Sequence, residues 1–164
     1  MTYFLSITYI NMKKKNIISL IFNVGLPILL GFIISLITKD DISYLQTLNR
    51  NINVPSIVFP IVWSILYILM GIWMFLFSRD FPLDKKNQVI YWISLVVNLL
   101  FSLILFSFRQ IILAFIDVII LLIMIIYLFL FTLSKDKKYA YLLLPYIVWL
   151  FIAFTLMLDI VVNN

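Results

Sequence analysis

Pro55-Ser56-Ile57-Val58-Phe59-Pro60-Ile61-Val62-Trp63-Ser64-Ile65-Leu66-Tyr67-Ile68-Leu69-Met70-Gly71 opens a run that carries no charge before Arg79. A helix needs roughly 20 predominantly apolar residues to cross a hydrocarbon core, and this run supplies them. Phe59, Trp63 and Tyr67 recur every four residues, which sets them in one aromatic stripe along a helix face. Pro55 and Pro60 suit a first helical turn, where a missing N–H costs little. Trp63 and Tyr67 lie too deep for an interfacial aromatic belt, which sits at span ends. The stripe either packs between helices or faces a ligand, and spacing alone leaves both readings open.

The same pattern repeats on either side. Of the 164 residues 65% are hydrophobic and only 12% charged, whereas ordinary soluble chains are about half apolar. The charges cluster between apolar runs at Ile17–Thr38, Ser56–Phe77, Val89–Phe106, Ile111–Leu133 and Tyr139–Val162. The fold expected is all-α, an integral membrane bundle of five transmembrane helices over residues 17–162. Short linkers after the second, third and fourth spans make antiparallel neighbours. Only the linker 39–55 is long enough for structure of its own.

Lys and Arg set the direction. Lys13, Lys14, Lys15, Arg79, Lys85, Lys86, Lys135, Lys137 and Lys138 fall on one side, against Lys39, Arg50 and Arg109 on the other. The positive-inside rule then puts the N-terminal segment 1–16 in the cytoplasm, and the linker 39–55 and the C-terminus outside. The first span follows three lysines as a signal peptide would, yet it is about twice a usual h-region and lacks a small-residue cleavage site. It is read as a retained helix. Met12, just before Lys13, is read as the natural initiator.

With no cysteine and no histidine, disulfides, thiol chemistry and Cys/His zinc sites are excluded. No metal and no other cofactor is expected. The net charge of +5 reflects membrane topology rather than nucleic-acid binding. Three glycines make no phosphate loop.

The fifth span holds a second aromatic face. Tyr146, Trp149 and Ala153 follow i, i+3, i+7 spacing, and Pro145 is expected to kink the helix. The small Ala153 leaves room for a neighbouring helix or a flat ligand. Asn98 in the third span is a mid-membrane polar group, either interhelical glue or a ligand contact. Asp117 in the fourth span and Asp159 in the fifth are costly unless paired. An ion pair of Arg109 with one of them is expected, in preference to a proton relay.

These residues also carry a resemblance. Val58-Phe59-Pro60-x-x-Trp63-Ser64-x-Leu66-Tyr67-x-x-Met70-Gly71 resembles the signature of the TspO/MBR family, also called the translocator protein or peripheral benzodiazepine receptor family. Leu95-x-x-Asn98-Leu99-x-x-Ser102, Arg109-Gln110-x-x-Leu113-Ala114-x-x-Asp117 and Pro145-Tyr146-x-x-Trp149-x-x-x-Ala153 are similar to later segments of that family, in the right order. Ile57 and Phe101 stand where the family has Trp, Ser94 where it has Gln and Met157 where it has Asn. No Lys or Arg follows Lys138, so the cholesterol-type motif of mitochondrial members is missing, which argues against a sterol role.

The resemblance implies a homodimer of five-helix bundles whose first linker lids a cavity for porphyrins such as protoporphyrin IX. It implies Phe59, Trp63, Tyr67, Asn98, Tyr146, Trp149 and Ala153 as ligand contacts. Some bacterial members degrade protoporphyrin in light, and Trp63 and Trp149 would then be the catalytic pair. The function expected is a membrane receptor for porphyrin-type tetrapyrroles with a stress-sensing role. The alternatives are a transporter of tetrapyrroles or other apolar solutes, and a binding or assembly module without a small ligand. The lack of inverted repeats argues against the transporter.

Overall fold

The computed structural model describes residues 2–164, with side chains from Lys15 onward. The suggested start at Met12, with Lys13 and Lys14, falls in the stretch whose side chains lie outside those described. The chain forms α1 (Thr2–Thr38), a 3-10 turn (Asp41–Gln46), α2 (Val58–Asp80), α3 (Lys85–Ser102) extended by a π turn (Leu103–Ser107), α4 (Ile111–Leu133), a single helical turn α5 (Lys137–Ala140) and α6 (Leu144–Asn163). Five segments are long and apolar enough to cross a membrane: Lys15–Thr38, Val58–Asp80, Lys85–Ser107, Ile111–Leu133 and Lys137–Asn163. The protein is an all-α integral membrane bundle. Helices suit that solvent because they satisfy every backbone polar group within the segment.

Local chemistry sets the ends. The Asp84 carboxylate accepts from the Asn87 backbone N–H at 3.3 Å, and that of Asp136 from the Lys138 N–H at 2.8 Å, capping α3 and α5. Pro55 lies outside α2, its carbonyl accepting from Val58 N at 3.0 Å, and only Pro60 falls in the first turn. Pro145 does not kink a continuous fifth span as expected. The chain breaks into turns at Tyr141–Leu143 and restarts with Pro145 in the first turn of α6. A proline there loses no helical hydrogen bond, whereas mid-helix it would clash with the carbonyl four residues back.

Pro27 does sit inside α1. It leaves the Asn23 carbonyl without its helical donor, and α2 packs against α1 there. A Cβ built on Gly71 would collide with that carbonyl oxygen and with Val24 Cα, so only glycine admits this approach. One turn toward the linker the roles reverse, and Gly31 of α1 makes room for the Tyr67 ring of α2. On the other flank α4 packs against α3 and α6.

The linker is fastened across the bundle. The Asp159 carboxylate accepts from the backbone N–H groups of Asn51 and Ile52 at 2.8 and 3.0 Å and from Asn51 Nδ2 at 3.2 Å. Asn49 and Asn164 exchange backbone and side-chain bonds at 3.0 and 2.8 Å, and Ser107 Oγ donates to Asp41 at 2.7 Å. These contacts overturn the expected Arg109 ion pair. Arg109 takes a left-handed φ of 54° where the π turn reverses into α4, and its guanidinium lies 5.4 Å from the Tyr44 ring centroid. The one ion pair among the described residues is Arg79–Asp80 at 2.6 Å, at the opposite end of the bundle, where the Tyr139 hydroxyl donates to Asp80.

Candidate functional site

The aromatic stripe of α2 and the aromatic face of α6 point at each other. Trp63 stacks on Tyr67, with centroids 5.7 Å apart and planes at 30°, as their one-turn spacing on α2 dictates. Trp63 also meets α6 edge-on, 6.0 Å from Tyr146 and 6.4 Å from Trp149, at 76° and 87°. Phe59 closes the group with an edge contact to Trp149 at 5.9 Å. T-shaped and offset contacts are the arrangements that ring quadrupoles favour. The rings themselves fill the space between α2 and α6, and Phe59 and Trp63 remain half-buried at its margin.

Beneath the rings lies a polar bridge. Tyr67 Oη donates to Asn98 Oδ1 at 2.9 Å, and Asn98 Nδ2 donates to Tyr146 Oη at 2.9 Å. One side chain of α3 thus ties α2 to α6, and all three residues are buried. The bond to Asn98 fixes the Tyr67 ring from one side, and Gly31 gives it space on the other. Trp149 Nε1 is buried with no acceptor among the described residues.

Six of the seven residues singled out in the sequence therefore meet: Phe59, Trp63, Tyr67, Asn98, Tyr146 and Trp149. Ala153 is one turn further along α6 and packs instead with the smaller cluster of Leu105, Ala114, Val118 and Met157. Asp117 lies buried on α4 beside that cluster, at 8% exposure, and its Oδ2 has no partner. Among the described residues no group of three or more carboxylates gathers to hold a metal ion.

A further aromatic pair went unnoticed in the sequence. Trp73 and Tyr91 are fully buried with centroids 5.6 Å apart, and Trp73 stacks on Phe77 at 4.8 Å. Trp73 is ten residues past Trp63, off the stripe, so helical spacing gave no signal for it. On α3, however, Asn87, Tyr91, Ser94 and Asn98 are all buried at spacings of four, three and four. That is the periodicity of one helix face, and it was available in the sequence as a polar stripe.

Comparison with known proteins gives matches over most of the chain. The profile of the TspO/MBR family matches residues 23–162. A "Tryptophan-rich protein TspO" from Chlorobaculum tepidum is 30% identical over 144 residues, 83% of this chain and 89% of the relative. Proteins of the same name from Archaeoglobus fulgidus and Bacillus cereus are 26% and 24% identical, covering 91% and 84% of this chain and 99% and 89% of their own lengths.

Proposed function

The chain belongs to the TspO/MBR family, and from that premise we propose that it is a membrane receptor for porphyrin-type tetrapyrroles, protoporphyrin IX among them. One observation carries the reading: Trp63 and Trp149 approach edge to face above a buried Tyr67–Asn98–Tyr146 bridge. A flat apolar ligand entering between α2 and α6 exchanges ring–ring contacts for ring–ligand contacts of the same kind, so little is lost on opening. The polar bridge gives the floor a fixed shape, and the free Trp149 N–H offers a donor to a ring nitrogen or a propionate.

In light, the same arrangement supports porphyrin breakdown. The indole at contact distance passes an electron to the excited porphyrin, and the porphyrin radical anion hands it to dioxygen. The indole radical then takes an electron back from the porphyrin, so that the porphyrin is oxidised, dioxygen is reduced and the indole is restored. Trp63 and Trp149 are the donors in this reading.

The topology follows from the basic clusters. The side bearing Lys15, Lys85, Lys86 and Lys135 faces the cytoplasm of a bacterial plasma membrane, and the linker side faces outward. The chain lacks cysteine, so a single Cys at Leu83, or at Ile57 beside the linker, reports sidedness to an impermeant maleimide. The protein acts as a homodimer, a reading supported by the apolar groove that Val89, Trp92, Ile93, Val96 and Val97 leave open on α3.

The deciding experiment is a titration of the detergent-purified protein with protoporphyrin IX, in the dark and then under light. Saturable quenching of Trp fluorescence supports a receptor, and light-dependent loss of the Soret band adds the breakdown. No quenching would leave the aromatic faces as packing alone.

A further inference from the structure

α1 and α2 leave an open groove between them, lined by Leu20, Ile21, Val24 and Gly25 of α1 and by Ile68 and Ile72 of α2. All six residues are apolar, and a Cβ built on Gly25 would meet no atom within 4 Å. Ile21 and Ile68 are exposed, so the groove opens on the bilayer. It runs beside the close contact of Gly71 with Asn23 and Val24, which holds its two walls in place. Lys15 precedes Gly25 by ten residues, about 15 Å along the helix. That is half of a hydrocarbon core of about 30 Å, so the groove spans the deeper half of one leaflet, the one on the side of Lys15. The mouth above it is basic. Lys13 and Lys14 precede Leu20 and Ile21 by seven residues, two helical turns, which sets them on the groove's face of α1. Arg79 stands two turns past Ile72 on α2, but Asp80 already answers its charge. The lysines have no such answer within α1, since the first acidic residue of the chain is Asp40, beyond the helix's far end. Among the described residues no carboxylate lies within ion-pair distance of Lys15.

We propose that this groove holds one acyl chain of an anionic phospholipid, whose phosphate meets Lys13, Lys14 and Lys15 at the mouth. The site is separate from the aromatic faces of α2 and α6, and it is the same whichever side of the membrane the lysines face. Lipid tails are as apolar as leucine, so hydrophobicity gives a bound chain no advantage over bulk lipid. Its advantage comes from packing into a groove already formed and from the charge above it. Basic sites between transmembrane helices hold anionic headgroups for this reason. A second helix is the poorer occupant. Leu20–Gly25 covers about 7.5 Å of α1, less than the diameter of about 10–12 Å of a helix with its side chains.

The test is native mass spectrometry of the detergent-purified protein, equilibrated with equal amounts of phosphatidylglycerol and phosphatidylcholine that bear identical chains. The wild type is expected to retain one lipid and to prefer phosphatidylglycerol by about tenfold or more. Gly25→Leu fills the groove and should lose that lipid. Should Gly25→Leu fail to fold, Ile68→Phe fills the groove from the opposite wall and should do the same. Lys13→Gln, Lys14→Gln and Lys15→Gln together should keep a lipid bound but bring the two headgroups within about twofold. Raised ammonium acetate should erase the preference of the wild type in the same way, so the role of charge is also read without a variant. A wild type that retains no lipid, or both lipids equally, overturns the proposal. So does a preference that survives the groove-filling variants, or one that survives both the loss of the lysines and high salt. A lipid-free wild type whose dimer is lost on Gly25→Leu also overturns it, and gives the groove to a second copy of the chain.

Discussion

The indole of Trp63 on α2 stands edge-on to that of Trp149 on α6, with centroids 6.4 Å apart and planes at 87°. These two residues, 86 positions apart in the chain, join two helices that otherwise meet through side chains. That makes them separable by mutation from the scaffold that holds them.

Phenylalanine keeps a face for stacking but donates electrons poorly. Trp63→Phe and Trp149→Phe are each expected to weaken protoporphyrin IX binding by less than about tenfold, the scale of about 1 kcal/mol for an aromatic contact. Light-driven loss of the Soret band should fall much further. Dark titrations paired with illuminated time courses make the comparison, and equal losses in both would reduce the indoles to a platform.

Asn98→Leu removes the partner of two buried phenols at once. Its thermal unfolding in detergent should show a loss of about 1–3 kcal/mol, because both hydroxyls are then stranded. Tyr67→Phe leaves the Asn98–Tyr146 bond in place and should cost less, on the order of 0.6 kcal/mol, typical of interhelical bonds in membranes. An Asn98→Leu protein as stable as wild type would mean that the phenols find other partners.

The glycines give opposite signs. Gly71→Ala drives a methyl into the Asn23 carbonyl and should destabilise by about 1–3 kcal/mol through overpacking. At Gly25 nothing lies within 4 Å of a built Cβ. Gly25→Ala should be neutral or stabilising by up to about 1 kcal/mol, the helical preference of alanine. Thermal midpoints of both variants, measured side by side, check the pair of signs.

Asp159 secures the backbone on the C-terminal side of Arg50. Asp159→Ala should release that stretch, and trypsin should then cut after Arg50 several-fold faster than in the wild type while the helices stay intact. Unchanged cleavage would show that Asn49, Asn164 and Arg109 hold the linker without it.

The spans were legible because lipid imposes a one-dimensional rule. The run Ile111–Leu133 coincides with α4, and the others differ by a turn or less at most ends. The stripe Phe59–Trp63–Tyr67 was legible from its spacing. What Asn98 bonds to was not, since its partners lie 31 and 48 residues away and nothing local encodes helix order around the bundle. Arg109 misled because charge counting gives a side of the membrane and no direction. Its left-handed backbone at the end of the π turn aims it at Tyr44 rather than into the bundle. The break before Pro145 was missed for a related reason: apolar residues on both sides of it hide a short change of the helical ladder to tighter turns that only hydrogen bonding reveals.

Hydrocarbon does not resist a greasy helix that slides along its own axis, since each new position is as well solvated as the last. Asn98 does resist. A slip of one turn, about 5.4 Å, of α2, α3 or α6 would part it from Tyr67 or Tyr146 and leave amide and phenol facing lipid or leucine. The Tyr67–Asn98–Tyr146 bridge therefore acts as an axial key. It sets how far each helix is threaded through the bilayer, and so the level at which the two indoles come face to edge.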